Sequence, residues 1–273
     1  MDHLHRELAP VSDAAWRQIE DEAKSRLVTQ LAARKLVDFS GPHGWDHSAT
    51  NLGRTAPVAS PAEGVRASQR RVLPLVELVV DFSVSRLEID DADRGAGDLG
   101  LEELDDAVRR LALAENVAVF HGFGAGGIRG ITESTSHSPI AIETDMEQYA
   151  NVVARATDVL RRDGIDGPYG LAIGPEIYTG IVQATEHGGH LLFDHLGQIL
   201  GGPIVWAPGV EGGVVLSQRG GDYGFDSGQD ISIGYRHHDS GTVALYLEES
   251  FSFRVVEPDA AVALVSGPAA GTR

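Results

Sequence analysis

Apolar and polar residues alternate through Asp230-Ile231-Ser232-Ile233-Gly234-Tyr235 and again from Thr242 to Val255. In the second run Val243, Leu245 and Leu247 share one face, and Phe251, Phe253 and Val255 resume the same period. A period of two is that of a strand with one face buried. Between the runs, Arg236-His237-His238-Asp239-Ser240-Gly241 is polar and ends on glycine, so the pair predicts a β-hairpin. The glycine turn Arg219-Gly220-Gly221-Asp222 feeds it.

Elsewhere the period lengthens to that of a helix. Trp16, Ile19, Ala23, Leu27 and Leu31 recur at three and four residues, and Ser12 offers an N-cap, which predicts a helix to about Lys35. Leu101, Leu104, Val108 and Leu111 predict a second helix over about Gly100 to Val119, capped by Asp98. A third opens at the capping pair Asp145 and Gln148 and runs to about Arg162, with Gly164 following as its terminator. Short strands are predicted at Tyr169–Ile173, Pro203–Trp206 and Gly213–Ser217, with helices from Pro175 to about Thr185 and from His190 to Leu200.

Two stretches differ. From 41 to 72 the chain is rich in Gly, Pro, Ala and Ser, carries no helical period and is long for a loop within one subunit. From Val72 to Ile89 the two-residue period returns, with Val76, Leu78, Val80, Phe82 and Val84 on one face, and predicts a long strand.

Composition narrows the function classes. The 273 residues are 42% hydrophobic and 23% charged, in the range of soluble globular proteins. The net charge of −18 opposes phosphate backbones and anionic lipid, so neither nucleic acid nor membrane is an expected partner. With no cysteine there is no disulfide framework and no thiolate site. Residues 1–7 carry no apolar run of the kind a signal peptide needs, and no run reaches membrane-spanning length, so a cytoplasmic location is expected.

Two motifs invite chemistry. Gly122-Phe123-Gly124-Ala125-Gly126-Gly127 is a literal G-x-G-x-x-G, with Glu143 at the distance of a ribose-binding acid. A dinucleotide site needs a strand before that loop and a helix directly after it. Here the preceding residues continue a helical stripe and Ile128–Thr135 is β-branched and glycine-broken, so the glycines are expected to form a turn and no cofactor is expected. The turn Glu186-His187-Gly188-Gly189-His190, with His195 beyond, holds three histidines in a short span. No close carboxylate constellation is evident around them and two glycines soften the frame, so a solvated loop is expected before a metal site. No G-x-S-x-G elbow, H-E-x-x-H or Walker loop is present, and no catalytic residues are expected.

Residue identities add a resemblance. Arg-Gly-Gly-Asp at 219–222, Gly228-Gln229-Asp230, Ser232–Tyr235 and Leu245–Phe253 resemble the C-terminal block of encapsulin shell proteins, which line bacterial nanocompartments. Arg6–Trp16, Gly41-Pro42-His43-Gly44-Trp45, Leu73–Leu78, Glu88–Asp91 with Arg94-Gly95, and Asp166–Tyr169 match in order. So does Ala33–Asp38, with alanine at 33 where the family pattern has glycine.

The resemblance implies an α+β fold of the tailed-phage major capsid protein (Hong-Kong-97) type, in a homo-oligomeric icosahedral shell. It divides the chain into an N-terminal helix and arm (1–45), an extended loop (46–75), a peripheral domain (76–137 and 220–266) and an axial domain (138–219). It implies an inner-wall groove for the C-terminal docking peptide of a cargo enzyme, at Leu27, Leu31, Arg34, Asp38, Asp230 and Ile231. The usual cargoes are ferritin-like iron-storage proteins and dye-decolourising peroxidases. Glu186, His187, Gly188, Gly189 and His190 would line a pore that gates small molecules, its charge changing near neutral pH. Leu87 stands where one subgroup carries a flavin-stacking tryptophan, so no flavin site is implied. The alternatives are a prophage major capsid protein, against which the groove-forming helix argues, and a dinucleotide-binding enzyme resting on the Gly122–Gly127 loop alone.

Overall fold

The structure is a computed structural model and describes residues 3–142, 148–184 and 191–266. The first long helix, α1 (Asp13–Gln30), starts at Ser12, whose Oγ accepts from the Ala15 N–H at 3.2 Å. It ends five residues before the sequence-based expectation of Lys35: the chain turns at Leu31 and forms a separate 3₁₀ turn, Ala33–Lys35. β1 (Asp38–Ser40) follows, then the hairpin of β2 (Ala49–Val58) and β3 (Ala67–Pro74). This hairpin is a two-stranded sheet of its own, with Val58, Val65 and Val72 all exposed.

β4 (Val76–Ser85) buries alternate residues as its period predicts, but it ends sooner than Ile89. Ser85 turns the chain by accepting from the Leu87 N–H, and α2 (Arg86–Asp93) begins. Leu87 and Ile89 are spaced as in a strand but fall out of phase with its apolar face, and Ile89 and Ala92 are the buried pair, three apart as a helix requires. α3 (Glu102–Phe120) starts at Leu101 rather than at an Asp98 cap. Glu103 in its first turn instead accepts from Ser83 of β4 through both N–H and hydroxyl. A one-turn helix, α4 (Ile131–Ser134), follows the glycine loop where the sequence predicts no helix.

The remaining elements are β5 (Ile140–Ile142), α5 (Tyr149–Arg162), β6 (Tyr169–Ile173), α6 (Pro175–Gln183), α7 (Leu192–Leu200), β7 (Gly201–Trp206) and β8 (Gly213–Ser217). After them come β9 (Tyr223–Ser227), β10 (Ser232–His238), β11 (Thr242–Val255) and β12 (Ala261–Ser266). The predicted capping residue Asp145 lies outside the described residues. The polar turn of the β10–β11 hairpin is shorter than 236–241, because His237 and His238 pair with Ala244 and Val243. Asp239 alone closes it, its Oδ1 accepting from Gly241 and Thr242 N–H groups.

The fourteen-residue β11 organises the first sheet. β10 and then β9 pair along one edge, β4 along the other, and β1 adds to β9 in parallel. α1 and α3 cover this sheet, and Ile19, Leu104, Val108, Leu111, Val243, Leu245 and Leu247 are fully buried between them. Each such aliphatic side chain contributes about 1.5–3 kcal/mol of burial. The second sheet has the order β5-β12-β8-β6-β7 and packs against α5 and α7. The division implied by the resemblance puts 261–266 with the β10–β11 hairpin; hydrogen bonding puts β12 between β5 and β8.

Candidate functional site

The corner after α1 is fixed by one side chain. Asn116 of α3 is fully buried, and its Oδ1 accepts from the Ala32 and Ala33 N–H groups at 3.0 and 3.1 Å. Its Nδ2 donates to the carbonyls of Gln30 and Pro208 at 2.9 and 3.1 Å. All four hydrogen-bonding positions of the amide are thereby used, and the end of α1 is tied to the core. Ala32 and Ala33 are wholly buried in that corner, and Leu31 and Arg34 on either side of them line a groove.

Across from this corner runs the segment entering β10. A groove of about 430 Å³ separates the two, and it is lined mainly by apolar side chains. Ala23, Lys24, Leu27, Val28, Leu31 and Arg34 form one wall; Asp230, Ile231, Ser232, Ile233 and Leu247 form the other. Leu4 closes one end, its carbonyl accepting from Tyr235 N–H at 2.9 Å, beside an Arg6–Glu20 ion pair at 2.6 Å. Val28 is 63% exposed beside the opening.

Arg34 is the groove's charged anchor. Its Nε donates to Glu115 at 2.7 Å, Nη1 to Asp230 at 2.6 Å and Nη2 to Glu249 at 2.8 Å. The rings of Phe39 and Phe225 lie 5.2 and 5.3 Å from the guanidinium carbon. Burial pushes the Glu115 carboxyl above its ordinary range, against the pull of Arg34. Glu249 rises well above 4.5, first through burial and then through repulsion by Glu115. Asp230 is the exposed member of the cluster.

Of the residues that the sequence resemblance assigns to a groove, Leu27, Leu31, Arg34, Asp230 and Ile231 come together here. Asp38 does not: β1 carries it to the β9 side, where its Oδ2 accepts from Gly221 N–H at 2.6 Å. Glu115, Asn116 and Glu249 were missed, although two of them leave a signal. Glu115 occupies a position in the stripe Leu104, Val108, Leu111, Val119, and Glu249 sits between Leu247 and Phe251 on the buried face of β11. A charge that interrupts an apolar period marks a buried partnered group.

The other motifs resolve differently. Glu186, His187, Gly188, Gly189 and His190 lie outside the described residues, between α6 and α7; so does Glu143. Among the described residues no cluster of His, Asp and Glu is arranged to hold a metal ion. The Gly122–Gly127 loop follows helix α3, not a strand, and closes on itself through a Phe123–Ile128 bridge. A Cβ on Gly122 would lie 2.2 Å from the Glu133 carboxylate. An acid packed where a pyrophosphate would sit leaves this loop as a turn. No helix among the described residues is long and apolar enough to cross a membrane.

Residues 1–252 match the family described as "Encapsulating protein for peroxidase". The type 1 encapsulin shell protein of Rhodospirillum rubrum is 45% identical over 270 residues, 97% of this chain and 96% of its own. That of Mycobacterium tuberculosis is 39% identical over 264 residues, 97% of this chain and 99% of its own. Among solved structures, the virus-like particle from Pyrococcus furiosus aligns with a TM-score of 0.61 at 18% identity, covering 90% of this chain and 98% of that one. The capsid of an empty GTA particle aligns at 0.53 and 13% identity, covering 87% and 90%. The fold is the α+β fold of phage-type capsids.

Proposed function

The chain belongs to the type 1 encapsulin shell proteins, and we propose that its copies close into an icosahedral compartment whose inner wall presents the α1–β10 groove to the docking peptide of a cargo enzyme. The role is a shell's, not an enzyme's. The observation that carries the docking reading is the groove itself: five residues of the family's dock line one apolar trough with a charged cluster at its end. Apolar side chains give a peptide its affinity there, and the few polar groups set its register.

The β2–β3 hairpin supports shell formation. Among the described residues its strands pair only with each other, and beyond its root most side chains are exposed. A two-stranded ribbon of this kind is marginal alone and is stabilised by a neighbouring subunit. In this reading 46–75 is the intersubunit loop, 138–219 the axial domain, and the turn 186–190 lines an opening through which small molecules pass. The cargo is a ferritin-like protein or a peroxidase, the compartment is cytoplasmic, and neither nucleic acid nor membrane is bound.

The test pairs assembly with loading. Val28→Asp with Ile231→Asp charges both walls of the groove and leaves Arg34, Glu115, Asp230 and Glu249 in place. Light scattering and negative-stain microscopy should show hollow megadalton particles with and without the substitutions, while a co-expressed cargo enzyme co-purifies only with the unaltered protein. Retained loading would place the dock elsewhere; a small oligomer from the unaltered chain would remove the shell.

A further inference from the structure

Under the groove one cation meets three carboxylates. Glu115 and Glu249 are buried, with 0% and 1% of their side chains exposed, whereas Asp230 is 46% exposed at the groove. Each glutamate gives its Oε2 to Arg34, at 2.7 and 2.8 Å, and the Oε1 of each is buried with no hydrogen-bond partner. Carboxyls held on Nε and Nη2 of one guanidinium are necessarily close to each other. Two full negative charges at that separation in a dry interior repel strongly, and an unbonded buried carboxylate oxygen is costly. A single proton removes both penalties. It neutralises one charge, and it joins the two unbonded oxygens as an O–H···O bond, the arrangement known from paired carboxylates.

Building on the docking reading above, we propose that Glu115 and Glu249 hold one proton between them and position Arg34, so that loss of the proton makes the groove floor more negative and tightens its hold on a cationic segment. With the proton in place, Arg34 is divided between a singly charged pair and Asp230. When it leaves, the pair carries two charges and draws the guanidinium inward, which frees Asp230 toward the groove. Burial raises both carboxyls, so the transition lies above the ordinary carboxylate range.

The other charges facing the cluster and groove are few. Lys24 and the Arg6–Glu20 pair come from the α1 side. Glu248, next in β11, points to the opposite face of the strand and bonds His3 at 2.6 Å. The two aromatic rings beside Arg34 carry no charge and exclude water.

The experiment uses assembled, empty shells and two fluorescent apolar peptides, one carrying a single arginine and the other glutamate at that position. Affinities are measured between about pH 5 and pH 9, the span over which buried glutamates lose their proton. The arginine peptide should tighten roughly fourfold with rising pH and the glutamate peptide should weaken by a similar factor, as one added charge near the ligand requires. In Glu249→Gln shells the dependence on pH should be lost; Glu115→Gln is the second variant if the first fails to assemble. Infrared difference spectra read the proton without any peptide: a carboxylic-acid C=O band present at the acid end, lost with rising pH, and missing from the variant. Absence of that band from the unaltered shell, or peptide binding that ignores pH, overturns the proposal. A titrating band with no binding of either peptide at any pH overturns the docking reading instead, and leaves the shared proton as a property of the core.

Discussion

Arg34 Nη2 and Glu249 Oε2 are 2.8 Å apart although 215 residues separate them in sequence. This one bond ties the corner after α1 to the middle of β11, and Glu115 brings α3 into the same knot. Replacing Arg34 by alanine strands two buried carboxyls. The subunit should lose about 3–5 kcal/mol, the usual result of removing one partner of a buried pair. Denaturant unfolding of the dissociated subunit measures it. Arg34→Lys should recover only part, since an ammonium cannot serve three carboxylates in a fixed fork.

Asn116→Ala should destabilise by about 3 kcal/mol, because two N–H groups and two carbonyls lose their buried partner together. Asn116→Asp should be worse: it keeps the acceptor, loses the donor and buries a charge. Hydrogen exchange at Ala32 and Ala33 should rise in both variants before exchange elsewhere in α3 does.

Stability should fall with alkali through the glutamate pair. Both carboxyls are raised in the folded state, so the fold binds more protons than the unfolded chain above their ordinary 4.5. Their contribution is complete below that pH and is lost as pH rises through the folded values. Glu249→Gln should flatten the alkaline limb of the pH–stability curve; an unchanged limb would place the titrating groups elsewhere.

His121 works in the opposite direction. Burial lowers it from 6.5, against smaller upward pulls from Glu211 and Glu133, and its Nε2 accepts from the Glu211 N–H at 3.1 Å. A group lowered on folding binds its proton more readily when unfolded, so acid below 6.5 destabilises. The protection of the Glu211 amide against exchange, relative to its intrinsic rate, should fall as pH drops toward 5, a step that His121→Gln should remove.

Shortening the β2–β3 hairpin should separate folding from assembly. Its root is held by a 2.6 Å Thr50–Ser252 hydroxyl bond, and the strands beyond face solvent. Replacing 53–70 with a tight Asn-Gly turn should leave the helical circular dichroism of the subunit intact while light scattering reports subunits in place of particles.

Much of this fold can be read from residue periods. β6 and β8 fall at the short apolar runs expected to be strands, both buried along their whole length, and α5 ends where Gly164 in the left-handed region stops it. The period failed where one element passes directly into the next, as at Ser85, since a serine cap decides strand or helix locally. The groove was legible only through resemblance, because its walls are two hundred residues apart in the chain. The Arg34 cluster was concealed for a different reason. Glu115 and Glu249 look like surface acids until their neighbours at helical and strand spacing are seen to be buried. Asp38 shows the converse: it lies next to the groove in sequence but β1 pairs it away.

The second sheet also constrains timing. β12 sits between β5 and β8, and among the described residues β5 pairs with no other strand. On a ribosome, β5 therefore emerges long before the strand that completes it, and β4 likewise waits for β11. Neither sheet is finished until β11 and β12 have been made, so any contact between subunits that needs either sheet has to wait for both strands.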